Sequence, residues 1–179
     1  MGTNLVTCQK QPALGCVFKL VEVSGRPRIK LSQDLEKTVI PGRKQVYRVS
    51  GARSAFPLVD IIQLASAAPP QPDLRIMCRH PFQEKKRAQI TPCKVTPLLR
   101  LVWDAAQGRV VEDTSSSGSC DSSARVEVIR AFIKEQLQQL RPDHLRYLNP
   151  TPYKVSVDEA LYDFMHSLWM TEAPVHDLE

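Results

Sequence analysis

The sequence predicts an α+β fold, and three observations carry that reading. Short alternating or β-branched runs bounded by Gly, Pro, Ser and Asp crowd the chain before residue 112. Helical spacing of apolar residues appears only after residue 123, in two stretches. Between them lies a segment dominated by Ser, residues 113–123, that reads as a loop of low complexity.

Residues 1–12 open with Gly2-Thr3-Asn4-Leu5-Val6-Thr7 and close at Pro12. A small-residue turn of this kind can face an anion with backbone N–H groups and a Thr hydroxyl. Standing alone it is outweighed by a plain turn, because short glycine turns are common. From Ala13 to Val23 both alternating faces are apolar, with Val17, Val21 and Val23 on one side and Leu14, Cys16, Phe18 and Leu20 on the other. That pattern predicts a strand covered on both sides. Ser24-Gly25 predicts a tight hairpin turn, after which Arg28 and Lys30 point outward and Ile29 and Leu31 inward.

Pro41-Gly42 signals another turn, and Val46, Tyr47 and Val49 predict the strand that follows it. Leu58 to Leu64 is short and β-branched, which favours strand over helix. Pro69, Pro70 and Pro72 make residues 65–73 an exposed connector. Leu74 to Cys78 and Ala88 to Thr91 are further strands, and Leu98 to Trp103 turns at residues 104–108 into Val110-Val111.

Ser122 or Ser123 is placed to cap the first helix, whose stripe Val126, Ile129, Ile133, Leu137 and Leu140 is expected to pack inward before Arg141-Pro142 stops it. Asn149-Pro150-Thr151-Pro152-Tyr153 reads as an extended link, since each X-Pro step disfavours the α region. Ser156 and Glu159 have the spacing of a capping box for the last helix, with Leu161, Phe164, Met165, Leu168 and Trp169 as its buried stripe. The tail, residues 171–179, is expected to fray.

Composition narrows the class. The 179 residues are 42% hydrophobic and 24% charged, with 14 Pro against 7 Gly, the balance of a loop-rich globular chain. No apolar run approaches the length that crosses a bilayer, and the sequence does not open on a basic-then-apolar leader. Cys8, Cys16, Cys78, Cys93 and Cys120 form no close pair, which fits reduced thiols in the cytosol. The net charge of +5 is scattered, so a polyanionic partner is not favoured.

Four chemistries compete for the polar residues. Cys78 and His80 precede Cys93 by the wrong pattern for zinc, which takes close ligand pairs at both ends, so ordinary thiols and a strand-end His are preferred. His144, His166 and His176 have Asp and Ser nearby in sequence but no nucleophile elbow or Cys/His signature, and His166 reads as a rim residue. Lys85-Lys86-Arg87 lacks any aromatic stacking platform and reads as a solvated loop, which argues against nucleic acid. The anion turn at Gly2 and Thr3 is the one candidate with positive support.

Several separated segments then agree in order with one family. Gly2 to Thr7, Pro12 to Val23, Pro41-Gly42-Arg43-Lys44-Gln45-Val46-Tyr47-Arg48, His80-Pro81-Phe82 and Asn149 to Tyr153 together resemble the C-terminal portion of animal-type nicotinate phosphoribosyltransferases. The resemblance runs from residue 1 to about Trp169. It implies a cytosolic homodimeric enzyme of NAD biosynthesis that joins nicotinate to phosphoribosyl pyrophosphate, giving nicotinate mononucleotide with Mg²⁺ and ATP hydrolysis. It also implies the end of an irregular α/β barrel over residues 1–12, a β-rich accessory region over 13–112, the Ser-rich loop over 113–123, C-terminal helices over 124–170 and the tail.

Within that resemblance Gly2 and Thr3 fall in the loop that holds the phosphate of the ribosyl substrate, and Met1 stands inside the loop. The family's phosphorylatable His and its nicotinate-gripping Tyr and Arg match no position here, so no catalytic residue and no metal ligand are assigned. The Ser-rich loop also departs from the shorter Pro-containing link usual there. The expectation is a chain without turnover by itself, binding neither Mg²⁺ nor ATP alone, with no nucleic-acid or membrane partner. The alternative is a non-catalytic interaction module that docks on full-length subunits.

Overall fold

The computed structural model of the protein describes residues 18–32, 37–53, 56–101, 103–111 and 122–173. The strands are β1 Glu22–Val23, β2 Arg26–Pro27, β3 Lys44–Ser50, β4 Pro57–Leu64, β5 Ile76–His80, β6 Gln83–Ile90, β7 Lys94–Pro97, β8 Trp103–Asp104, β9 Arg109–Val110 and β10 Val155–Asp158. The helices are α1 Ser122–Gln138 and α2 Glu159–Glu172, with a 3₁₀ turn at Pro142–His144 between them. The architecture is mixed α+β, as the sequence predicts.

One six-stranded sheet, in the order β6-β5-β10-β4-β3-β7, carries the core. Its pairs are antiparallel except β10 with β4, which run parallel with Ser156 opposite Ile61 and Val157 opposite Ile62. The last strand in sequence therefore sits in the middle of the sheet. Sequence periodicity did not find it, because four residues leading straight into a helix carry too little alternation to register.

Helix α2 covers one face of this sheet. Val157, Leu161 and Tyr162 are buried there with Ile40, Ile62, Leu64 and Phe164 packed around them, and Met165 is fully buried. Val49, Val59, Ile61 and Cys78 form a second buried cluster, flanked by Leu58, Ile76 and Ile90. Strand β4 serves both clusters, which is why Pro57, Val59, Asp60, Ile61 and Gln63 are all buried along it.

Turn chemistry behaves as expected at two hairpins. Ser24 and Gly25 both adopt positive φ, 48° and 72°, so the β1–β2 hairpin closes on the primed turn that matches strand twist. Arg28 and Lys30 are exposed while Ile29 and Leu31 are half-buried, the anticipated alternation. Between β8 and β9, Asp104 Oδ1 accepts from Ala106 N at 2.9 Å and Gln107 N at 3.3 Å, and Gly108 takes φ 61°. The paired part of that hairpin is only two residues a side, shorter than predicted, and β7 was not foreseen.

Five expectations need correction. Residues 13–17 lie outside the described ones, and the described remainder of that run is not a doubly covered strand: Phe18 and Leu20 are exposed and only Glu22–Val23 pairs. A run apolar on both faces needs two covering layers, and the described residues supply neither. Lys85-Lys86-Arg87 lies within β6, not in a loop; β6 is an edge strand, where charges block further pairing. Ser156 cannot cap α2 because it is paired in β10; Asp158 caps instead, its Oδ1 accepting from Leu161 N at 3.0 Å. Ser122 and Ser123 fall inside α1, not before it. The α1 stripe does not pack inward: Val126, Ile129, Ile133 and Leu137 are exposed. Its spacing reports that the helix needs an apolar partner, not that this domain provides one.

Candidate functional site

Gly2 and Thr3, the residues expected to hold a phosphate, lie outside the described residues. Among the described ones, the densest polar constellation joins β3, β4, α1 and the link before β10. Asp60 is a lone carboxylate in the apolar run of β4, and it faces Arg48 across the β3–β4 register. Arg48 donates to it through Nε at 3.0 Å and Nη2 at 2.9 Å, a bidentate fork. Tyr153 Oη donates to Asp60 Oδ1 at 2.9 Å, and Arg48 Nη1 reaches Gln136 Oε1 on α1 at 3.3 Å.

Both charged side chains are mostly withdrawn from water, at 19% exposure for Arg48 and 11% for Asp60. Hydrogen bonding to Asp60 raises the Arg48 guanidinium above its usual value, so it stays charged. Burial, helped by the bond to Asp60, pushes the Tyr153 phenol well above its ordinary value and keeps it a donor. Each donor here is aimed at an acceptor already inside the cluster. Its chemistry is therefore clamping rather than proton transfer.

The link that delivers Tyr153 is itself tied down. His144 Nδ1 donates to the Thr151 carbonyl at 2.6 Å, which fixes its proton on that nitrogen, and the His144 ring meets Tyr153 edge-on at 5.4 Å. Arg146 Nη2 donates to the Asn149 carbonyl at 3.2 Å and to Thr151 Oγ1 at 3.4 Å. Thr151 N donates to the Asp143 carbonyl at 2.9 Å, and Asn149 takes the left-handed φ of 47° that Asn tolerates. His144 is thus an orienting residue, not part of a Ser/His/Asp arrangement.

A second cluster forms where the β5–β6 hairpin meets α2. Phe82 N donates to His80 Nδ1 at 3.2 Å, and His166 Nε2 donates to the Pro81 carbonyl at 3.2 Å. His166 sits between Tyr162, tilted against it at 4.1 Å, and Trp169, stacked at 6.1 Å. Arg79 lies 3.8 Å over the Tyr162 ring and 3.8 Å from Glu159, while its buried Nε has no hydrogen-bond partner. His166 is half-buried at this rim, in keeping with the sequence reading.

The remaining polar groups are structural as well. Lys44 Nζ donates to the carbonyls of Ile40 at 2.7 Å and Gly42 at 2.5 Å, and burial lowers its amine below the usual lysine range, with Glu22 opposing. Burial pushes the Cys78 thiol up to about 11, with Asp158 adding to it, so Cys78 is an inert core thiol; Cys93 is exposed. Among the described residues no three His, Cys, Asp or Glu side chains gather as a metal set. No described helix is long and apolar enough to cross a membrane.

The sequence reading named Arg48 and Tyr153 only as parts of longer motifs and passed over Asp60. One signal was available: a single acid inside Val59-Asp60-Ile61-Ile62 and a single Arg inside Tyr47-Arg48-Val49 mark two strands that must bury one charge each. Three of the five segments behind the resemblance make long-range ties. Pro41 to Arg48 joins Asn149 to Tyr153 at Asp60, and His80-Pro81-Phe82 joins α2 at His166.

Known proteins confirm the grouping. The family model of the nicotinate phosphoribosyltransferase C-terminal domain matches residues 43–165. Nicotinate phosphoribosyltransferase 1 of Arabidopsis thaliana is 48% identical over 99% of this chain, and nicotinate phosphoribosyltransferase of Caenorhabditis elegans is 46% identical over 100% of it. In both cases the chain spans 30% of the relative's length. The crystal structure of human nicotinic acid phosphoribosyltransferase superposes with a TM-score of 0.62 at 32% identity, covering 85% of this chain and 26% of that one. Matched over residues 43–165 by the C-terminal domain model and over almost its whole length by these relatives, the chain belongs to the nicotinate phosphoribosyltransferase family and carries its C-terminal domain.

Proposed function

We propose that this chain supplies the C-terminal part of a nicotinate phosphoribosyltransferase, which forms nicotinate mononucleotide from nicotinate and phosphoribosyl pyrophosphate with ATP hydrolysis in NAD biosynthesis. The observation that carries the reading is the match of residues 43–165 to that family's C-terminal domain. In this proposal residues 1–12 end the barrel and bring Gly2 and Thr3 to the ribosyl phosphate, where a backbone N–H and a hydroxyl orient it and offset its charge. Residues 13–112 supply the β-rich accessory region, and the chain from Ser122 supplies the C-terminal helices that follow the Ser-rich segment.

The clamp at Asp60 supports this division of labour, because it fixes the sheet without leaving a group free to react. In this proposal the metal, ATP and the covalent chemistry belong to the portion that precedes this domain in the relatives, because the family's phosphorylatable His and nicotinate-gripping Tyr and Arg match no position here. The assembled enzyme is proposed to be a cytosolic homodimer. The isolated chain is expected to show no turnover.

Two measurements test the proposal. The purified 179-residue chain is assayed for nicotinate mononucleotide with Mg²⁺ and ATP, beside a chimera in which it replaces the matching C-terminal portion of the Arabidopsis thaliana relative. An active chimera and a silent chain are expected; robust turnover by the chain alone refutes the division of labour. In the chimera Thr3→Ala is expected to raise the KM for phosphoribosyl pyrophosphate about tenfold, the loss of one charged hydrogen bond. An unchanged KM removes Thr3 from the phosphate site.

The second reading, an interaction module docking on full-length subunits, is favoured by one observation: the apolar flank of α1 stands exposed. Light scattering of the chain mixed with the full-length Arabidopsis thaliana relative separates it, since the absence of a mixed complex argues against docking on full-length subunits.

A further inference from the structure

Helix α1 is amphipathic, yet among the described residues its apolar flank has no cover. Val126, Ile129, Ile133 and Leu137 recur at steps of three and four along one side and are 49%, 50%, 50% and 47% exposed. Glu127 and Lys134 lie to one side of this stripe, and Arg130, one turn from both Val126 and Ile133, borders it and pairs with Glu127 at 3.0 Å. The helix is nonetheless held to the body. Phe132 lies 5.4 Å under Arg100 and Gln136 accepts from Arg48, and these two residues stand one turn apart beside the apolar flank. In α2, by contrast, Leu161 and Met165 are fully buried.

We propose that this flank of α1 is the docking face for the portion of a nicotinate phosphoribosyltransferase polypeptide that precedes the C-terminal domain, an inference that rests on the function proposed above. Three features select that occupant. The family match over residues 43–165 contains the whole of α1, so the helix is an element of the domain and not an addition to it. The chain spans 30% of the relatives' length, which leaves more than two thirds of a family polypeptide to lie against it. The patch also continues past the helix: Arg100, which holds Phe132, is flanked by Leu99 and Leu101 at 54% and 67% exposure. Exposed apolar residues on a helix and on the segment that contacts it are the signature of a covered face.

The test compares amide hydrogen exchange in the 179-residue chain and in the chimera described above. Amides of residues 126–137 are expected to exchange at least tenfold more slowly in the chimera, with those of β3 and β4 unchanged. A double variant, Ile129→Glu with Ile133→Glu, is expected to leave the melting temperature of the isolated chain unaltered and to cut chimera activity at least tenfold, while Lys134→Glu does neither. Equal exchange in the two proteins overturns the docking face. So does protection in the isolated chain that grows with concentration, which would assign the flank to a second copy. An active chimera with an unprotected α1 refutes this surface alone, whereas an inactive wild-type chimera refutes the proposed function and the docking face with it.

Discussion

Replacing Arg48 by Met tests the clamp that ties the domain together. Asp60 accepts three hydrogen bonds, two from Arg48 and one from Tyr153, at 11% exposure. Met keeps most of the apolar stem and removes the charge, leaving a buried carboxylate with the Tyr153 hydroxyl as its remaining donor. At an effective dielectric constant of about 20, unit charges ~4 Å apart attract by ~4 kcal/mol. Removing one partner of a buried pair costs about 3–5 kcal/mol, and the residual water access at Arg48, 19% exposed, favours the lower end. The expected loss is about 3 kcal/mol, or roughly 6–12 °C in Tm for a chain of this size.

Urea unfolding followed by circular dichroism reads that loss as a lower midpoint at constant slope. Tyr153→Phe, which forfeits one bond to a charged acceptor, is expected to cost about 1.5 kcal/mol. Its pH dependence carries a further sign. The folded state holds the phenol proton more tightly than the unfolded chain, so the contribution is complete below the ordinary tyrosine value, about 10, and drains away as pH rises above it. Tyr153→Phe should flatten the alkaline limb of the stability curve. The decisive result is the cycle of Arg48→Met, Asp60→Leu and the pair. Coupling of about 2 kcal/mol or more is expected for contacting charges, and coupling near zero would show that the fork is incidental to stability.

The remaining predictions concern the core and its turns. Asp158→Asn retains an oxygen to accept from Leu161 N while removing a half-buried charge, so the helix start should survive and the Cys78 thiol should titrate below its present value of about 11; peptide-resolved alkylation between pH 8 and roughly 11 measures this. Because the folded thiol value is raised, stability from Cys78 is full below about 8.5 and falls as pH climbs toward the folded value. Gly42→Ala should cost about 1–2 kcal/mol in urea unfolding, since Gly42 sits at φ 79° and an added Cβ would stand 3.0 Å from Leu64 Cδ2. Leu161→Ala, at a fully buried position, should cost about 2–5 kcal/mol, with the same assay as its check.

How much of this was legible beforehand divides along physical lines. Ser24-Gly25 was readable because a primed turn depends on the φ freedom of two residues and little else. Strand β4 was readable because six apolar or β-branched residues in eight leave few alternatives. The cap of α2 was misread because Ser156 and Asp158 are both good caps, and only the pairing of Ser156 with Ile61 decides between them. The fate of the α1 stripe could not be read at all, since periodicity states which face is apolar and not what covers it. The clamp fell between these cases. Arg48 and Tyr153 lie 12 and 93 residues from Asp60, and the Asn149-to-Tyr153 link brings the phenol home only in the fold, so composition could flag the acid without naming its partners.

The position of β10 makes the residues after Pro152 a condition for the rest. Val155–Asp158 stands between β4 and β5, pairing parallel to one and antiparallel to the other. A chain ended at Pro152 therefore loses more than a terminal helix. It loses Tyr153 from Asp60, it leaves β4 and β5 with facing edges and no strand between them, and it uncovers Ile62 and Leu64 where α2 packs. Burial of Val157, Leu161, Tyr162 and Met165 is worth about 1.5–3 kcal/mol for each side chain. Their sum approaches the whole stability of an ordinary domain, about 5–15 kcal/mol. The truncated chain is accordingly expected to lose cooperative unfolding altogether, with circular dichroism and urea as the measurement. A sigmoidal transition retained at even half the original midpoint would mean that β3, β4 and β7 fold without their central neighbour, and would move the core of this domain away from α2.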